Sequence, residues 1–329
     1  MKTLILYAAL LSLFPWTSSV MAEQAVPRRG MWVWHFQCYA TPSEKDRLIQ
    51  FCKAQKINLL LVQVHYDEDP QTRFPRGIRD PKAFGDLIQQ AKEAGIVVEA
   101  LEGDPQWALR SGQASFWPKF DVIMNWYKSQ PPSRRFAGLH LDVEPYLLDQ
   151  FHTTRKWDLL RDYLEYLAEV RQRMKQQAPS LILAADIPFW YDNHPEDEYL
   201  DHNVVEFNGK KKYVSSHVQD ICDYIGIMSY RRKAVGENSI TKLCEGEMAY
   251  AEKIGKKIFA AVEMSPNQDP PTISFYGMDV PLFREQMDLV DKTFGGRPGY
   301  GGILIHHYLS YREFLEGGKS PTGSRADGR

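Results

Sequence analysis

Eight runs of strand-forming residues alternate with helical segments along almost the whole chain, and this alternation limits the folds that are open to it. The runs are nearly continuous in apolar character, which is typical of parallel strands covered by helices. Eight such units over roughly 300 residues predict a single-domain (β/α)8 TIM barrel. The runs are Gly30–Phe36, Asn58–Tyr66, Ile96–Gly103, Gly138–Tyr146, Leu181–Trp190, Tyr224–Tyr230, Lys257–Ser265 and Gly301–Tyr308.

Helical patterns fill the intervals between the runs. Asp80-Pro81 begins one helix, and Trp157–Gln177 has apolar residues at close to a 3.6-residue period. The region 192–217 is mostly polar and predicts a long loop, with a short helix only near Val214–Asp220. The alternative architecture is a doubly wound open sheet, which usually carries a Gly-rich phosphate-binding turn after an early strand. The sequence contains no such turn, so it favours the barrel.

The first 22 residues have the order of a secretory signal. Lys2 gives a basic start, Leu4–Trp16 is a short apolar run, and small residues precede a cut after Ala22. The alternative is an uncleaved N-terminal anchor. We therefore expect a signal peptide at 1–22, a barrel catalytic domain at 23–316 and a disordered tail at 317–329, which is rich in Gly, Ser, Pro and charge. The mature chain, with no membrane span, would be secreted or periplasmic.

Charge and cysteine content exclude some partners. The formal net charge is −2, and removing Lys2 makes it more negative by one, so we expect no nucleic-acid partner. An exported chain permits disulfides, and Cys38–Cys52 and Cys222–Cys244 are the pairings nearest in sequence. Buried free thiols are the alternative. The sequence gives no indication of an oligomeric state.

Polar and aromatic side chains gather where the predicted strands end. In a TIM barrel the C-terminal ends of the strands carry the functional residues. The opposite ends of the same strands carry far fewer groups of this kind. The side chains that we expect to contact a ligand at this face are Trp34, His65, Glu102, Asp186, Trp190, Glu263 and His307.

Strand four carries the densest set of ionisable groups. Side chains alternate along a strand, so His140, Asp142 and Glu144 share one face, which points into the barrel and its mouth. Two carboxyl groups at this spacing raise the proton affinity of one member, as a general acid near neutral pH requires. The alternative is a structural cluster that binds a neighbouring Arg or Tyr.

Two short motifs resemble those of the family 18 glycoside hydrolases. Asp142-Val143-Glu144 on strand four resembles the end of that family's DxxDxDxE motif, and Met228-Ser229-Tyr230 on strand six resembles its MxY motif. The resemblance implies retaining hydrolysis of a glycan. It also implies that Glu144 is the general acid, that Asp142 orients the N-acetyl group of the substrate, and that Tyr230 helps to hold that group.

The chain departs from the family pattern at several positions. Ala137 and His140 stand where the motif has its first two aspartates, and Val143 stands at its usual aromatic position. Arg231 replaces the aspartate that often follows Tyr on strand six, and His306-His307-Tyr308 replaces the strand-eight tryptophan.

A weaker resemblance is to clan A glycoside hydrolases, in which a strand-four Glu is the acid/base and a strand-seven Glu is the nucleophile. Glu144 and Glu263 occupy these positions, but Val143 stands where that clan has Asn. Because that Asn is missing and Asp142 is present, the family 18 interpretation is favoured.

The sequence therefore predicts an exported retaining glycoside hydrolase that acts on carbohydrate without a cofactor. No HExxH or His-x-His pattern indicates a metal site. Two alternatives stay open beside the clan A mechanism. One is a non-catalytic carbohydrate-binding barrel, and the other is a metal-dependent deacetylase or amidase.

Overall fold

Eight parallel strands close into a barrel in this computed structural model, which describes residues 28–192, 203–266, 268 and 270–317. Each strand pairs with the next along the chain, and the eighth pairs with the first. The predicted TIM barrel is therefore confirmed. The strands are β1 Arg28–Val33, β2 Leu59–Gln63, β3 Val97–Glu102, β4 Gly138–Leu141, β5 Ile182–Pro188, β6 Tyr224–Met228, β7 Lys257–Glu263 and β8 Tyr300–His306.

A helix follows each strand and covers the outside of the barrel. Thr41 and Asp80 cap the first two helices by accepting hydrogen bonds from the backbone N–H groups of Glu44 and Ala83, which satisfies donors that the first helical turn leaves free. The helices are α1 Pro42–Ala54, α2 Pro81–Glu93, α3 Gln113–Ser129, α4 Lys156–Gln177, α5 Val214–Ile221, α6 Glu245–Ile254, α7 Val280–Phe294 and α8 Tyr308–Leu315.

Strand β4 is shorter than predicted. It ends at Leu141, although the backbone N–H of Asp142 still donates to the carbonyl oxygen of Glu102 at 2.8 Å. Pro145 has no N–H to continue the ladder and begins a 3-10 turn, for which Glu144 is the N-cap residue. Asp142 and Glu144 therefore lie in the loop that follows the strand rather than on its face.

Of the region 192–217, which the sequence predicts to be mostly a polar loop, the described part 203–217 contains two strands as well as the start of a helix. Val204–Phe207 and Lys210–Tyr213 form an antiparallel hairpin that leads into α5. The short helix predicted near Val214–Asp220 is confirmed by α5. A second hairpin, Tyr66–Glu68 with Pro75–Ile78, follows β2 on the functional side of the barrel.

All four cysteines are buried free thiols, so the predicted disulfides are wrong. Burial raises the pKa of the Cys38, Cys52 and Cys222 thiols to about 12 in each case, which keeps them protonated.

Within the described ranges no helix has the length and apolar character needed to cross a membrane. The signal peptide predicted at 1–22 lies outside the described residues, as does the tail beyond Gly317.

The barrel closes where β8 meets β1, and Gly302 makes this approach possible. Its φ is +138°, and a Cβ at this position would lie 1.8 Å from the carbonyl oxygen of Arg28. The register of β7 against β8 also shifts beside it, between Ile258 and Phe259. A side chain here would meet rigid backbone of the neighbouring strand rather than a side chain that can move.

We expect Gly302→Ala to lower the free energy of unfolding by about 3 kcal/mol, because the added methyl group forces β1 and β8 apart. Urea denaturation followed by circular dichroism measures the change. Gly296→Ala is the matched control, since nothing lies within 4 Å of a Cβ there, and it should change stability by less than about 0.5 kcal/mol. Equal effects of the two substitutions would contradict this account of barrel closure.

Candidate active site

A polar cluster fills the barrel interior beneath its C-terminal mouth. His140 on β4 is fully buried, and its Nε2 lies 2.7 Å from Oδ2 of Asp186 on β5. Its Nδ1 lies 3.4 Å from Oε2 of Glu99 on β3 and 3.2 Å from the hydroxyl of Tyr224 on β6. The Tyr224 hydroxyl donates to Glu99 Oε2 at 2.7 Å. Four strands are thus joined by one network.

Sequence reasoning missed two members of this network, Glu99 and Tyr224. Glu99 is a charged residue in the middle of the apolar run Val97–Leu101, and both residues are buried. A charge inside such a run is costly unless it is paired, and this was the signal that could have identified Glu99.

Asp142 and Glu144 lie above the network, at the mouth. The register pairs Leu141 with Ala185, so Asp142 and Asp186 are the next neighbours across β4 and β5. Burial raises the pKa of Asp142 well above its usual range, and the charges of Asp186 and Glu144 add to the rise, while His140 opposes it. Asp142 keeps some accessible surface, but its Oδ1 is buried and has no hydrogen-bond partner among the described residues.

Glu144 is half-buried and accepts a hydrogen bond at Oε1 from the hydroxyl of Tyr146. Burial raises the pKa of Glu144 and the charge of Asp186 raises it further, while the Tyr146 hydrogen bond and His306 act in the opposite direction. The net shift is upward, so this carboxyl holds its proton more tightly than a free one. Tyr146 was not identified as a site residue from the sequence.

Glu263 is held differently at the end of β7. Its Oε1 accepts hydrogen bonds from the backbone N–H groups of Met264 at 2.8 Å and Ser265 at 2.6 Å, and its Oε2 lies 2.9 Å from Nδ1 of His306. Burial alone would raise the pKa of Glu263, but the hydrogen bonds of His306 and Ser265 outweigh it and lower that pKa. Glu263 is therefore an ionised carboxylate.

Trp34 determines the tautomer of His306. The indole Nε1–H of Trp34 can only donate, and it lies 2.9 Å from His306 Nε2. Nε2 is therefore an acceptor, and the proton on Nδ1 is donated to Glu263. The Trp34 side chain is half-buried, and its hydrogen bond fixes the His306 ring beside Glu263 at the mouth.

Tyr230 follows β6, and its half-buried ring lies 6.2 Å from the ring of His306. Burial raises the pKa of its hydroxyl well above the usual range, and the negative charges of four carboxyl groups add to the rise. These are Glu263, Asp142, Asp186 and Glu144. The structure therefore brings Tyr230 together with the carboxyl groups of β4, β5 and β7.

Glu102 at the end of β3 is buried and accepts a hydrogen bond from the hydroxyl of Tyr66. Burial raises the pKa of Glu102 to about 7, although the Tyr66 hydrogen bond and the charge of Lys119 oppose the shift. The Lys119 ammonium lies 5.1 Å from the centre of the Tyr66 ring. Neither Tyr66 nor Lys119 was identified as a site residue from the sequence.

Other predicted ligand-contacting residues lie at the edge of this group. Trp190 is half-buried and packs against Tyr146 at 5.3 Å and Phe151 at 5.7 Å between ring centres. His65 bonds through Nε2 to the carbonyl oxygen of Trp34, and His307 bonds through Nε2 to the hydroxyl of Ser310. Their hydrogen bonds thus go to the backbone and to α8 rather than to the central carboxyl groups.

Both of these edge histidines are neutral. Burial lowers the pKa of His65 to about 4 and the pKa of His307 to about 3. Across the described part of the chain, no group of three His, Cys, Asp or Glu side chains has the arrangement of a metal site.

Comparison with solved structures finds barrels of the same fold. A GH18 chitinase from Pseudoalteromonas aurantia matches with a TM-score of 0.53 and 15% identity, over 86% of this chain and 94% of that chain. A β-1,4-mannanase from the sea hare Aplysia kurodai matches with a TM-score of 0.57 and 14% identity, over 91% and 93%. An endo-β-1,4-mannanase from Thermotoga petrophila matches with a TM-score of 0.55 and 14% identity, over 85% and 67%.

Comparison of the sequence with protein-family models and with curated proteins gives no match. The chain therefore resembles barrel glycoside hydrolases in structure, and at these identities the resemblance shows the fold.

The pKa of Glu102 predicts a pH dependence of stability. A carboxyl group whose pKa is raised on folding costs stability as the pH rises from its unfolded value of about 4.5 to its folded value of about 7. Wild type should therefore lose about 3 kcal/mol relative to Glu102→Gln across this window, with no further change above it. Urea denaturation of both proteins from about pH 4 to about pH 8 measures the difference. A difference that is independent of pH would contradict the burial of a protonated Glu102.

Proposed function

We propose that this chain is an exported glycoside hydrolase that cleaves a polysaccharide or glycan with retention, with Glu144 as the general acid and Asp142 as its carboxyl partner. One observation carries the proposal. At the mouth of the barrel the pKa values of Asp142 and Glu144 are raised, while the pKa of Glu263 at the end of β7 is lowered. Carboxyl groups with pKa values driven apart in this way are the acid and base pairs of glycoside hydrolysis.

Glu144 is placed to donate a proton. Its Oε1 accepts from Tyr146, so the proton of the neutral acid lies on Oε2, and the half-buried position leaves the group open to a substrate. In the first step Glu144 protonates the glycosidic oxygen as the bond to the anomeric carbon breaks. In the second step it takes a proton from the attacking water and returns to its starting state.

Asp142 and Tyr230 support substrate assistance. The buried Oδ1 of Asp142 has no protein partner in the described ranges and is free to accept the N–H of an N-acetyl group. The carbonyl oxygen of that group then bonds to the anomeric carbon in place of an enzyme nucleophile. Water attacks the same carbon in the second step, which gives retention. Tyr230 lies near the same carboxyl groups and positions the substrate.

The remaining mouth residues would bind substrate hydroxyl groups and sugar faces. Trp34 and Trp190 offer half-buried rings, and apolar sugar faces suit flat aromatic surfaces. Glu102, Asp186, His65 and His307 are polar groups at the ends of β3, β5, β2 and β8, and form part of the proposed site. The proposal includes a signal peptide at 1–22, a catalytic barrel at 23–316 and a secreted or periplasmic location.

A clan A mechanism is the second candidate, and the state of Glu263 favours it. Glu263 is ionised and fixed by three hydrogen bonds. A nucleophile in a retaining double displacement must be ionised and aligned in this way. Against it, both oxygens of Glu263 already accept hydrogen bonds within the protein, whereas Oδ1 of Asp142 does not.

The first test is an assay of Glu144→Gln on a panel of N-acetylated chitin fragments, peptidoglycan pieces and unacetylated glucans and mannans. We expect kcat/KM to fall by about 10²- to 10⁴-fold while binding persists, because Gln cannot supply the proton. Glu93→Gln, on the exposed surface of α2, is the matched control and should keep wild-type rates.

Unchanged hydrolysis in Glu144→Gln would refute the assignment of the acid. Binding by wild type without cleavage of any substrate would instead identify a carbohydrate-binding barrel. Activity that chelators abolish would identify a metal-dependent hydrolase.

A second test separates the two mechanisms. Under substrate assistance Asp142→Asn loses activity on N-acetylated substrates, and Glu263→Ala gives no glycosyl azide when azide is added. Under the clan A mechanism azide restores turnover of Glu263→Ala and yields a glycosyl azide of inverted configuration, since it attacks in place of the missing carboxylate. We expect the first result, and detection of the azide product by mass spectrometry would overturn it.

A further inference from the structure

The network beneath the mouth contains a histidine with acceptors on both sides. Nε2 of His140 lies 2.7 Å from the Asp186 carboxylate, so it donates there. Nδ1 lies 3.4 Å from Glu99 and 3.2 Å from the Tyr224 oxygen. Because the Tyr224 proton is already engaged in the shorter bond to Glu99, at 2.7 Å, the Tyr224 oxygen can accept from Nδ1. Both ring nitrogens then carry protons, and the ring is an imidazolium.

The surroundings of His140 require this charge. Glu99 is 0% and Asp186 is 1% exposed, and a buried carboxylate without a countercharge is strongly unfavourable. The pKa of His140 is raised to about 10: burial opposes the charge, but Asp186 and Glu99 outweigh burial. From β1 the neighbour is the indole of Trp32, which carries no charge and lies 6.4 Å away between ring centres.

Asp186 connects this charge to the proposed site. Its Oδ2 is held by His140, and its Oδ1 is buried without a partner among the described residues, as is Oδ1 of Asp142. Gly226 leaves room for Asp186, since a Cβ there would lie 2.1 Å from Oδ1. Asp142 and Asp186 each follow directly on the last printed pair of β4 and β5, Leu141 with Ala185, and the charge of Asp186 acts on Asp142.

We infer that His140 is a positioning residue with a permanent charge, which holds the Asp186 carboxyl group through Nε2 and leaves Asp142, which has no such partner among the described residues, to hold the proton in the free enzyme. The inference rests on the proposed function, and it assigns a role to a residue that stands where the family 18 motif has an aspartate. His140 does not touch the substrate and acts through Asp186. The imidazolium thus gives two neighbouring carboxyl groups different partners and different roles.

Loss of the charge has a defined effect on pH dependence. The groups that face His140 are Glu99, Asp186 and Tyr224, and Asp142 lies two residues further along the chain, in the loop after β4. Replacing the cation by a neutral Gln removes a positive charge that favours ionised carboxyl groups nearby. The carboxyl groups around position 140 should therefore bind a proton at higher pH than in wild type. The midpoint of the acidic limb of the pH profile of kcat/KM should shift to higher pH by about 1 unit or more. The midpoint of the alkaline limb should not change, because this limb reports the loss of the Glu144 proton. His140 is not among the groups that shift the pKa of Glu144.

The experiment compares the pH profiles of wild type, His140→Gln and Tyr224→Phe on the substrate identified by the panel. Tyr224→Phe removes a hydroxyl from the same network but leaves the imidazolium, so its acidic limb should match wild type. Both variants should be less stable, and therefore only the pH profile separates a charge from a packing role. An unmoved acidic limb in His140→Gln, or an equal movement in Tyr224→Phe, would overturn the inference.

A measurement on wild type needs no activity and covers the case in which His140→Gln does not fold. In protein labelled with ¹⁵N-histidine, one of the nine histidines should keep both ring nitrogens protonated up to about pH 9. Its assignment follows from contacts with the Tyr224 ring, whose centre lies 5.7 Å from that of His140. If every histidine loses a proton below about pH 8, the inference is wrong whether or not Glu144 is the acid. Failure of the proposed function would show instead in Glu144→Gln.

Discussion

The contact of His140 with Asp186 and Glu99 is the interaction on which the site depends. A closed barrel removes its interior from water, so each ionised side chain inside must find its partner within the protein. Here one imidazolium is in contact with two carboxylates. Without this cation the interior below the mouth would hold several carboxyl groups competing for the same protons, and neither their geometry nor their protonation states would be fixed.

This constraint divides the carboxyl groups of the barrel into two sets. Glu99, Asp186 and Glu263 each have a histidine partner, whereas Asp142 has none among the described residues and Glu144 has only the hydroxyl of Tyr146. In the second set burial raises the pKa of both carboxyl groups, whereas the hydrogen bonds of Glu263 in the first set lower its pKa. Both sets lie on neighbouring strands or in the loop that follows β4, and this difference in partners is the physical basis for the acid chemistry that we propose at the mouth.

The barrel was predictable from the sequence because it depends on local pattern, and the central residues of the candidate site follow from the same pattern. Apolar runs identify the strands, and the ends of those runs identify Asp142, Glu144, Tyr230 and Glu263. The hydrogen-bond partners of these side chains and of their neighbours were not predictable. Tyr224, Glu99 and Tyr66 come close to the candidate site only through closure of the barrel. The end of β4 was also placed too late, since the alternation of polar and apolar side chains continues to Glu144 while the hydrogen bonding to β3 stops at Asp142.

The buried thiols bear on how the protein can be made. Cys38, Cys52, Cys222 and Cys244 are packed among apolar side chains, so no covalent link joins distant parts of the chain. The fold then draws its stability from packing and from the internal ion pairs, and owes nothing to an oxidising compartment or to a disulfide isomerase. The same barrel should form in a reducing cytoplasm as in an extracellular medium, which makes ordinary cytoplasmic expression a sound source of native protein.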